Sequence, residues 1–301
     1  MIHKTVLLHE AIDELKLQDG DIFVDGTLGG GGHTEEVLKR FQNNVLGNIK
    51  IIAIDTDIDA LERARTRLAP FGGDMTYVQE NFRNIRSVLE EISISKVNKI
   101  LLDIGLSSNQ FEDSGRGFSF QKDEPLVMSF KKDITENDLT ASEILNTWDE
   151  ENIRAILEGY GEEKFAYKIA KAIVARRDEK KIETTFDLVS IIKSATPFFY
   201  HHGRIHPATK TFQALRITVN DEIRALEEGI TQGFAQLTPH GRIAVISFHS
   251  LEDRVVKQFF KIKEEDGEGK RITKKPIIPT DTEIDGNPRS RSAKLRILQK
   301  N

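Results

Sequence analysis

Four consecutive glycines constrain this chain more than any other feature of its sequence. They lie in "DGTLGGGGH" (25–33), between the apolar run "DIFV" and the helix-favouring run "TEEVLKRF". Glycine tolerates positive φ and permits close approach to its backbone. Between a strand and a helix, such a turn presents backbone N–H groups to a ligand at the carboxyl end of a parallel sheet. The sequence therefore predicts an α/β fold with a ligand site at this turn. Packing alone is the alternative explanation for the glycines.

Short apolar runs alternate with helical patterns over the first third of the chain. Strands are predicted at 21–25, 50–55, 75–79 and 99–105, with helices after the first and second of them. This alternation is typical of a doubly wound parallel sheet. A further apolar strand is predicted at 241–248, and "KLRIL" (294–298) would allow a last one. We therefore expect one α/β domain in two pieces, 1–106 and 205–301.

A helical insertion is predicted to separate these two pieces, at 107–204. Apolar residues at helical spacing predict helices at about 150–159, 163–177 and 185–195. The next stretch, 206–237, is predicted as one long helix or two. The charged stretch 264–287 contains Gly and Pro, and we expect it to be a mobile excursion.

The chain has 301 residues and no cysteine. Disulfides, thiolate zinc sites and cysteine nucleophiles are therefore excluded. No stretch approaches the apolar length of a membrane span and no signal peptide is visible, so a cytoplasmic protein without a membrane partner is expected. The net charge is -5, yet 188–220 and 286–301 contain basic residues and no acid. A solvated surface is the ordinary explanation for each stretch, and their occurrence together favours a polyanionic partner.

Acidic residues end three of the predicted strands. The dinucleotide fingerprint G-x-G-x-x-G fails in every register of the glycine turn, which argues against a pyrophosphate ligand. Asp55, at the end of the second strand, is placed to accept from ribose hydroxyls, and Asp25 to face a cationic group. A ligand with a ribose, an ammonium and no phosphate fits, and S-adenosyl-L-methionine is such a ligand. Phe82 follows the third strand, where it could cover an adenine.

Asp103 ends the fourth predicted strand and is our candidate catalytic residue. Methylation at pyrimidine C5 requires covalent attack, normally by a thiolate, which this chain lacks. Methylation at nitrogen or oxygen requires alignment of an in-line displacement. An acceptor such as Asp103 could hold the N–H of an exocyclic amine and aim its lone pair. No metal site is expected, because His201, His202 and His206 have no carboxylate or thiolate cluster nearby.

Nine sequence blocks in one order resemble the bacterial 16S ribosomal RNA cytosine-N4 methyltransferase family, known as RsmH or MraW. They include "HKTVLLHEAID", "VDGTLGGGGHT", "LLDIGLSSNQFED", "HPATKTFQALRITVNDEI" and "GRIAVISFHSLEDRVVKQFF", and they run from His3 to about Leu298. The resemblance implies a Rossmann-like class I methyltransferase sheet with an inserted helical substrate-recognition domain. It also implies a substrate cytosine in the decoding region of 16S ribosomal RNA, so the expected partner is that RNA or the small ribosomal subunit.

The resemblance also implies particular site residues. The positions that match the family's donor site are Gly31, Gly32, His33, Asp55, Phe82, Asp103 and Gln110. Candidate substrate contacts, chosen for charge, aromatic character or nearness to a strand end, are Arg116, Phe118, Phe120, His206, Lys210, His249, Arg289 and Arg291. Core packing is an equally favoured role for the two phenylalanines. The chain departs from the family pattern in "QKDEPLVMSFKKD", where Val127 and Ser129 replace an acid and an arginine.

Other functions stay open at the level of the residues. A nicotinamide-dependent oxidoreductase would share the sheet, although the dinucleotide fingerprint is missing. A non-enzymatic RNA-binding factor would keep the basic 286–301 segment, which includes Lys294 and Arg296, without needing intact acids. A hydrolase based on "SFHSLEDR" is disfavoured, because no G-x-S-x-G elbow exists. A homodimer is left open.

Overall fold

The computed structural model describes residues 4–42, 47–105, 115–203 and 205–301. The chain divides into two compact units. The sheet unit comprises 1–105 and 223–301, and the helical unit comprises 106–222. The sequence placed the second boundary near 205. The structure places it later because Phe212, Ala214 and Leu215 are buried in the core of the helical unit.

One sheet of seven strands forms the sheet unit. The strands are β1 (Ile22–Asp25), β2 (Lys50–Asp55), β3 (Asp74–Gln79), β4 (Val97–Asp103), β5 (Leu237–Ser247), β6 (Gly269–Arg271) and β7 (Lys294–Lys300). Their spatial order is β3-β2-β1-β4-β5-β7-β6. The first five strands are parallel, whereas β7 runs antiparallel to β5 and β6 antiparallel to β7. The strand order reverses direction at β1, the position where doubly wound sheets open a ligand crevice.

The helices of the described chain follow in sequence order: α1 (Leu8–Leu15), α2 (Gly32–Gln42), α3 (Ile58–Leu68), α4 (Ile85–Glu91), α5 (Ala141–Thr147), α6 (Glu150–Gly159), α7 (Ala166–Glu179), α8 (Thr185–Ala195), α9 (Phe198–His201), α10 (Thr209–Asn220), α11 (Glu222–Gln236), α12 (Ser250–Glu265) and α13 (Asp281–Gly286). The predicted helices at 150–159 and 185–195 have the predicted bounds. Helices α5 and α9 were not predicted. No helix in the described ranges is both long and apolar enough to cross a membrane.

Both faces of the sheet are buried. Phe23, Ile51 and Leu101 pack in a core on one face, and their neighbours Val24, Ile52 and Ile100 pack in a core on the other. This arrangement explains why the parallel strands occur in the sequence as continuous apolar runs rather than as an alternating pattern. The helical unit has its own core, to which α5, α6, α7, α8 and α10 contribute.

The segment 264–287 is ordered, so the expectation of a mobile excursion is wrong. It contains β6, which pairs with β7, and α13. Glu283 Oε1 accepts a hydrogen bond from Leu7 N at 2.8 Å, and Asn287 Nδ2 donates to Lys4 O at 2.9 Å. These contacts join parts of the chain that are far apart in sequence, and local composition contains no sign of them.

Candidate active site

The glycine turn joins β1 to α2, and its glycines are needed partly for packing inside the protein. Gly29 and Gly31 adopt φ values of +50° and +74°, which L side chains rarely accept. A Cβ on Gly32 would lie 1.9 Å from Thr5 Oγ1. Gly31 N donates to Leu28 O at 2.7 Å. The sequence posed packing and ligand binding as alternatives, and three of the four glycines have a packing or backbone role.

Asp55, at the end of β2, holds the glycine turn. Its Oδ2 accepts from Gly29 N at 2.7 Å and its Oδ1 from Asp57 N at 2.9 Å. Burial raises the pKa of Asp55, and the two backbone hydrogen bonds oppose that shift. Each carboxylate oxygen keeps a second lone pair. Asp55 is therefore both part of the turn's structure and able to accept from a ligand.

Asp25, at the end of β1, is only 1% exposed. Its Oδ2 accepts from Thr34 Oγ1 at 2.7 Å, in the first turn of α2, and its Oδ1 from Thr27 N at 3.3 Å. Burial raises its pKa to about 6. The expectation that Asp25 faces a ligand directly is therefore wrong, because its carboxylate is enclosed. Its charge still acts on the neighbouring site.

Asp103, at the end of β4, is joined to the same turn. Its backbone N–H donates to Thr27 Oγ1 at 2.6 Å, and its Oδ1 accepts from Gly105 N at 3.4 Å. Burial raises the pKa of Asp103 to about 7, and the charges of Asp25 and Glu252 act in the same direction. A carboxyl group with such a pKa is suited to exchange a proton near neutral pH.

His33 lies in the first turn of α2 and connects α2 to Asp103. Its Nε2 is 3.2 Å from Val6 O, and its Nδ1 is 3.8 Å from Asp103 Oδ2. If Nε2–H donates to that carbonyl, a neutral ring turns an unprotonated Nδ1 toward Asp103. The distance to Asp103 is too long for a direct hydrogen bond. The imidazole ring therefore lies beside the carboxylate of Asp103 as a polar neighbour.

Phe82 lies at the start of a 3-10 turn, Phe82–Asn84, which Asn81 caps by accepting from Arg83 N at 3.0 Å. Gly229 of α11 lies against the ring of Phe82, where an added Cβ would come within 2.4 Å of Cδ2. Gly26 is also close, since a Cβ there would lie 3.3 Å from Phe82 Cβ. Two glycines thus leave room for Phe82 beside the end of β1, with the ring half-buried.

His249 and Glu252 build the start of α12, directly after β5. His249 Nδ1 accepts from Glu252 N at 3.4 Å, and Glu252 Oε2 accepts from Phe248 N at 2.7 Å and from His249 N at 3.2 Å. The ring of Phe248 lies on Gly105, where an added Cβ would come within 2.5 Å of it. His249 therefore caps a helix, and the buried Glu252 fixes the loop that packs next to Asp103.

The helical unit holds five of the predicted substrate residues, and two of them have structural roles. Phe118 is 5% exposed and stacks on Phe130 with ring centroids 5.7 Å apart. The prediction that Phe118 stacks on a base is wrong, because its ring is in the core. Arg116 Nη1 donates to the carbonyls of Ser129, Phe130 and Lys131 at 3.0, 2.8 and 3.1 Å. This guanidinium therefore holds the segment 121–133, in which the sequence departs from the family pattern.

Phe120, His206 and Lys210 lie nearer the surface of the helical unit. Phe120 stacks on His206 with centroids 4.3 Å apart, which covers one face of each ring. Burial lowers the pKa of His206, and the charges of Lys193 and His201 lower it further. His206 is thus poorly suited to act as a cation for phosphate. Lys210 Nζ donates to Glu162 O at 2.6 Å.

The basic residues near the end of the sequence fall into two groups. Arg289 and Arg291 are exposed in the 3-10 turn Pro288–Ser292. Lys294 and Arg296 instead lie in β7 and pair with Asp253, at 3.1 and 2.7 Å. One carboxylate thus meets both cations and Arg296 is buried, so these two residues are less available to phosphate than Arg289 and Arg291 are. Gln110, predicted for the donor site, lies outside the described residues.

The comparison of sequence with structure also shows what the sequence missed. Thr27, Thr34, Gly229 and Glu252 set the geometry around Asp25, Phe82 and Asp103, and none was singled out. The signal for Thr34 and Glu252 was present in part, since each lies in the first turn of the helix that follows a predicted strand. Gly229 gave no such signal, because its role depends on how α11 packs on Phe82.

The strand order and the glycine turn are those of a Rossmann-like class I methyltransferase sheet, and S-adenosyl-L-methionine is the cofactor of the family to which the chain belongs. The fold class predicted from sequence is confirmed. The profile of the MraW methylase family matches residues 1–301, and the chain belongs to that family. An oxidoreductase, a hydrolase and a non-enzymatic factor are thereby set aside.

Relatives cover the chain nearly end to end. A ribosomal RNA small subunit methyltransferase H of Carboxydothermus hydrogenoformans is 44% identical over 99% of this chain and 97% of its own length. A protein of the same name from a Sulfurihydrogenibium species is 47% identical over 98% of both chains. Among solved structures, an rRNA methylase from Streptococcus thermophilus is 12% identical with a TM-score of 0.44, covering 100% of this chain and 98% of that one.

Proposed function

We propose that this chain transfers a methyl group from S-adenosyl-L-methionine to N4 of a cytosine in the decoding region of 16S ribosomal RNA. Support comes from the family, from the names of its relatives and from the lack of cysteine for attack at C5. The observation that carries the proposal is Asp103, a carboxyl joined to the glycine turn and with a pKa of about 7.

The residues around the glycine turn fit the donor. Asp55 has a free lone pair on each oxygen for the two ribose hydroxyls, and the half-buried ring of Phe82 can cover adenine. Gly31, Gly32 and His33 form the start of α2 beside them. Asp25, Asp103 and Glu252 place three carboxyl groups close enough for their charges to interact, which favours a cationic ligand. The bound donor supplies an electrophilic methyl group on a sulfonium sulfur.

Asp103 acts on the acceptor. An exocyclic amine is a poor nucleophile, because its lone pair is conjugated into the ring. The carboxylate of Asp103 accepts a hydrogen bond from N4–H, which keeps the lone pair directed at the methyl group. As the N–C bond forms, the methyl–sulfur bond breaks, its electron pair stays on the sulfur of a neutral thioether, and Asp103 receives the proton that N4 loses. A pKa of about 7 matches this task near neutral pH.

The helical unit and the exposed Arg289 and Arg291 serve recognition of the RNA in this proposal. The target base must leave its stack before its amine can react. Phe120, Lys210 and His249 stay candidates for contact with the RNA. The natural substrate is the RNA within the small ribosomal subunit or the free RNA, which implies a cytoplasmic location.

The test is to incubate the protein with isotope-labelled donor and either small-subunit ribosomal RNA or isolated small subunits. Nucleosides are then analysed by mass spectrometry. We expect label in N4-methylcytidine at a single position. Label in 5-methylcytidine, or in no nucleoside of either substrate, contradicts the proposal.

A further inference from the structure

Two phenylalanines in the helical unit point away from its core. Phe198 and Phe199 in the short helix α9 are 77% and 72% exposed, more than any other large apolar side chain in the described ranges. Neither belongs to the core of the unit. Adjacent exposed apolar side chains mark an interaction site more often than scattered single ones do. We name this pair the 198–199 platform.

The residues beneath the platform are firmly held. Tyr200 packs edge-on against Phe165, with centroids 4.8 Å apart, and its hydroxyl donates to Glu163 Oε2 at 2.7 Å. On the other side, His201 Nε2 and Thr196 Oγ1 are 2.9 Å apart. Phe199 lies 6.3 Å from the ring of Phe165. The two exposed rings are thus mounted on a fixed base rather than on a loose loop.

Cations lie among the residues that support the platform. The sequence from Leu188 to Asn220 contains no acidic residue. Lys164, Lys168 and Lys193 are exposed, and Lys168 Nζ lies 5.9 Å from the centroid of Phe165. The imidazole of His202 packs edge-on against Phe198 at 4.4 Å. Two acids lie in the same region: Glu163, which is buried and bonded to Tyr200, and the exposed Glu162.

We propose that the 198–199 platform stacks unpaired bases of the RNA substrate while Lys164, Lys168 and Lys193 contact the flanking phosphates. The inference rests on the proposed function, since it names how that RNA is held. Exposed aromatic rings bordered by cations are the arrangement with which proteins hold single-stranded nucleic acid. A protein partner could pack on the rings, but it would not in general offer a group for the lysines to bind. RNA offers a phosphate at every nucleotide.

The first experiment replaces both rings. The double variant Phe198→Ala/Phe199→Ala is compared with the parent for binding of a fluorescein-labelled decoding-region RNA. Stacking changes affinity by roughly tenfold to a hundredfold per base, so we expect at least a tenfold rise in Kd and KM for RNA. The single-turnover rate at saturating RNA and the affinity for the donor should stay within about twofold. The variant Phe198→Trp/Phe199→Trp keeps the stacking faces and should bind like the parent.

Phe186→Ala is the matched control. Phe186 is an aromatic residue of the same unit, 47% exposed, whose backbone N–H donates to Asp123 Oδ1 and whose chain neighbour is Asp187. Its loss should leave RNA affinity unchanged. Thermal melting checks that each variant is folded, which the high exposure of the replaced rings favours.

The second experiment replaces Lys164, Lys168 and Lys193 with Gln. Each phosphate contact to a single strand contributes about 0.7 to the slope of log affinity against log salt. The triple variant should flatten that slope by about 2, whereas the Phe198→Ala/Phe199→Ala variant should leave it unchanged, because stacking releases no counterions.

Several results would overturn the inference. Parent-like Kd and KM in the double alanine variant would do so, as would an equal loss in Phe186→Ala. If the double variant methylates free RNA normally but small subunits poorly, the rings bind a protein of the subunit instead. If the parent methylates RNA at another atom, the proposed function fails while the platform can still be tested by binding. If the parent binds no RNA, both fail.

Discussion

The carboxyl ends of the parallel strands and the surface of the helical unit differ in how they use polar side chains. We call the first region the sheet edge. At the sheet edge, Asp25, Asp55 and Asp103 hydrogen-bond to one continuous turn, so each helps to place the others. In the helical unit, Arg116 and Phe118 serve the interior, and the groups left for a substrate are exposed rings and lysines. Under the proposed function, the difference teaches that buried groups bonded to one another suit a small donor, whereas many separate contacts suit a long flexible substrate.

The sharpest test of the sheet edge is Asp103→Asn. The change keeps size and an acceptor oxygen but removes the charge and the ability to take a proton. We expect single-turnover methylation at saturating donor and RNA to fall by about a hundredfold or more. In the parent, the rate should rise with pH up to an apparent pKa of about 7, since the ionised carboxylate is the active form.

Stability should respond in the opposite sense. Because the folded-state pKa of Asp103 exceeds the unfolded value, the native state holds the proton more tightly, and parent stability should decrease as pH rises from about 4 to 7. Asp25 acts in the same direction. Asp103→Asn should reduce that decrease and raise stability above pH 7, on the order of 1–3 kcal/mol. Denaturant unfolding at two pH values measures it. Asp74→Asn, at the start of β3, is the control for the stability measurement. In the rate measurement, methylation by Asp103→Asn as fast as by the parent would remove Asp103 from catalysis.

Asp55→Ala should have the next largest effect, on donor affinity. Loss of the charged acceptor leaves ribose hydroxyls unpaired and weakens binding by roughly 1.5 to 3 kcal/mol. Gly29 N also loses its acceptor, so Asp55→Asn, which keeps one carboxamide oxygen, separates turn structure from binding. Calorimetric titration with the donor gives both values. Parent affinity in a folded Asp55→Ala would exclude Asp55 from the site.

Glu252→Gln tests whether Glu252, after β5, and Asp103, at the end of the neighbouring strand β4, are coupled through charge. The amide can still accept from Phe248 N and His249 N, so the loop should persist. Removal of the negative charge lowers the pKa of Asp103, because Glu252 is among its raising influences. The pH–rate profile should therefore move to lower pH, by a fraction of a unit to about one unit. The other groups that face Asp103, Asp25 and His33, are the same in this variant as in the parent. A profile identical to the parent's means that Glu252 acts only on structure.

The smallest effect is expected from Arg289→Ala/Arg291→Ala. If these exposed arginines contact phosphates, the slope of log RNA affinity against log salt should flatten by about 1.4 for two contacts with a single strand. Donor affinity should not change. Lys294→Gln provides the contrast, because Lys294 pairs with Asp253 and should leave the slope as it is. An unchanged slope in the double variant would make the turn at Pro288–Ser292 structural.

The fold and the position of the acids at the strand ends could be predicted because their causes are local. A strand that ends in Asp55 or Asp103 places its acid at the carboxyl edge of a parallel sheet whatever else the chain does. Strand pattern and chain order were therefore sufficient to bring these residues together. The same reasoning failed for Asp25, since only the packing of Thr34 over it encloses the carboxylate.

The roles of the candidate substrate residues could not be predicted as well, because burial and neighbouring side chains decide whether each residue is available to a substrate. Phe118 and Phe198 are the same amino acid, one in the core and one almost fully in water. Arg296 and Arg291 lie in one basic run, but only Arg296 meets Asp253, which is distant in sequence. Charge and aromaticity indicate what a side chain can do, and tertiary contacts decide whether it is available.

The insertion has a consequence for how the protein folds during synthesis. β4 pairs with β5 along Lys99–Asp103, although the whole helical unit separates these strands in sequence. As the ribosome releases the chain from its N-terminal end, one edge of β4 waits unpaired, with Ile100 and Leu102 exposed, until β5 emerges. Unpaired apolar edges of this kind are prone to aggregate. The local contacts of helices favour rapid folding, so the helical unit can complete its own core during that interval and shorten the exposed part of the chain.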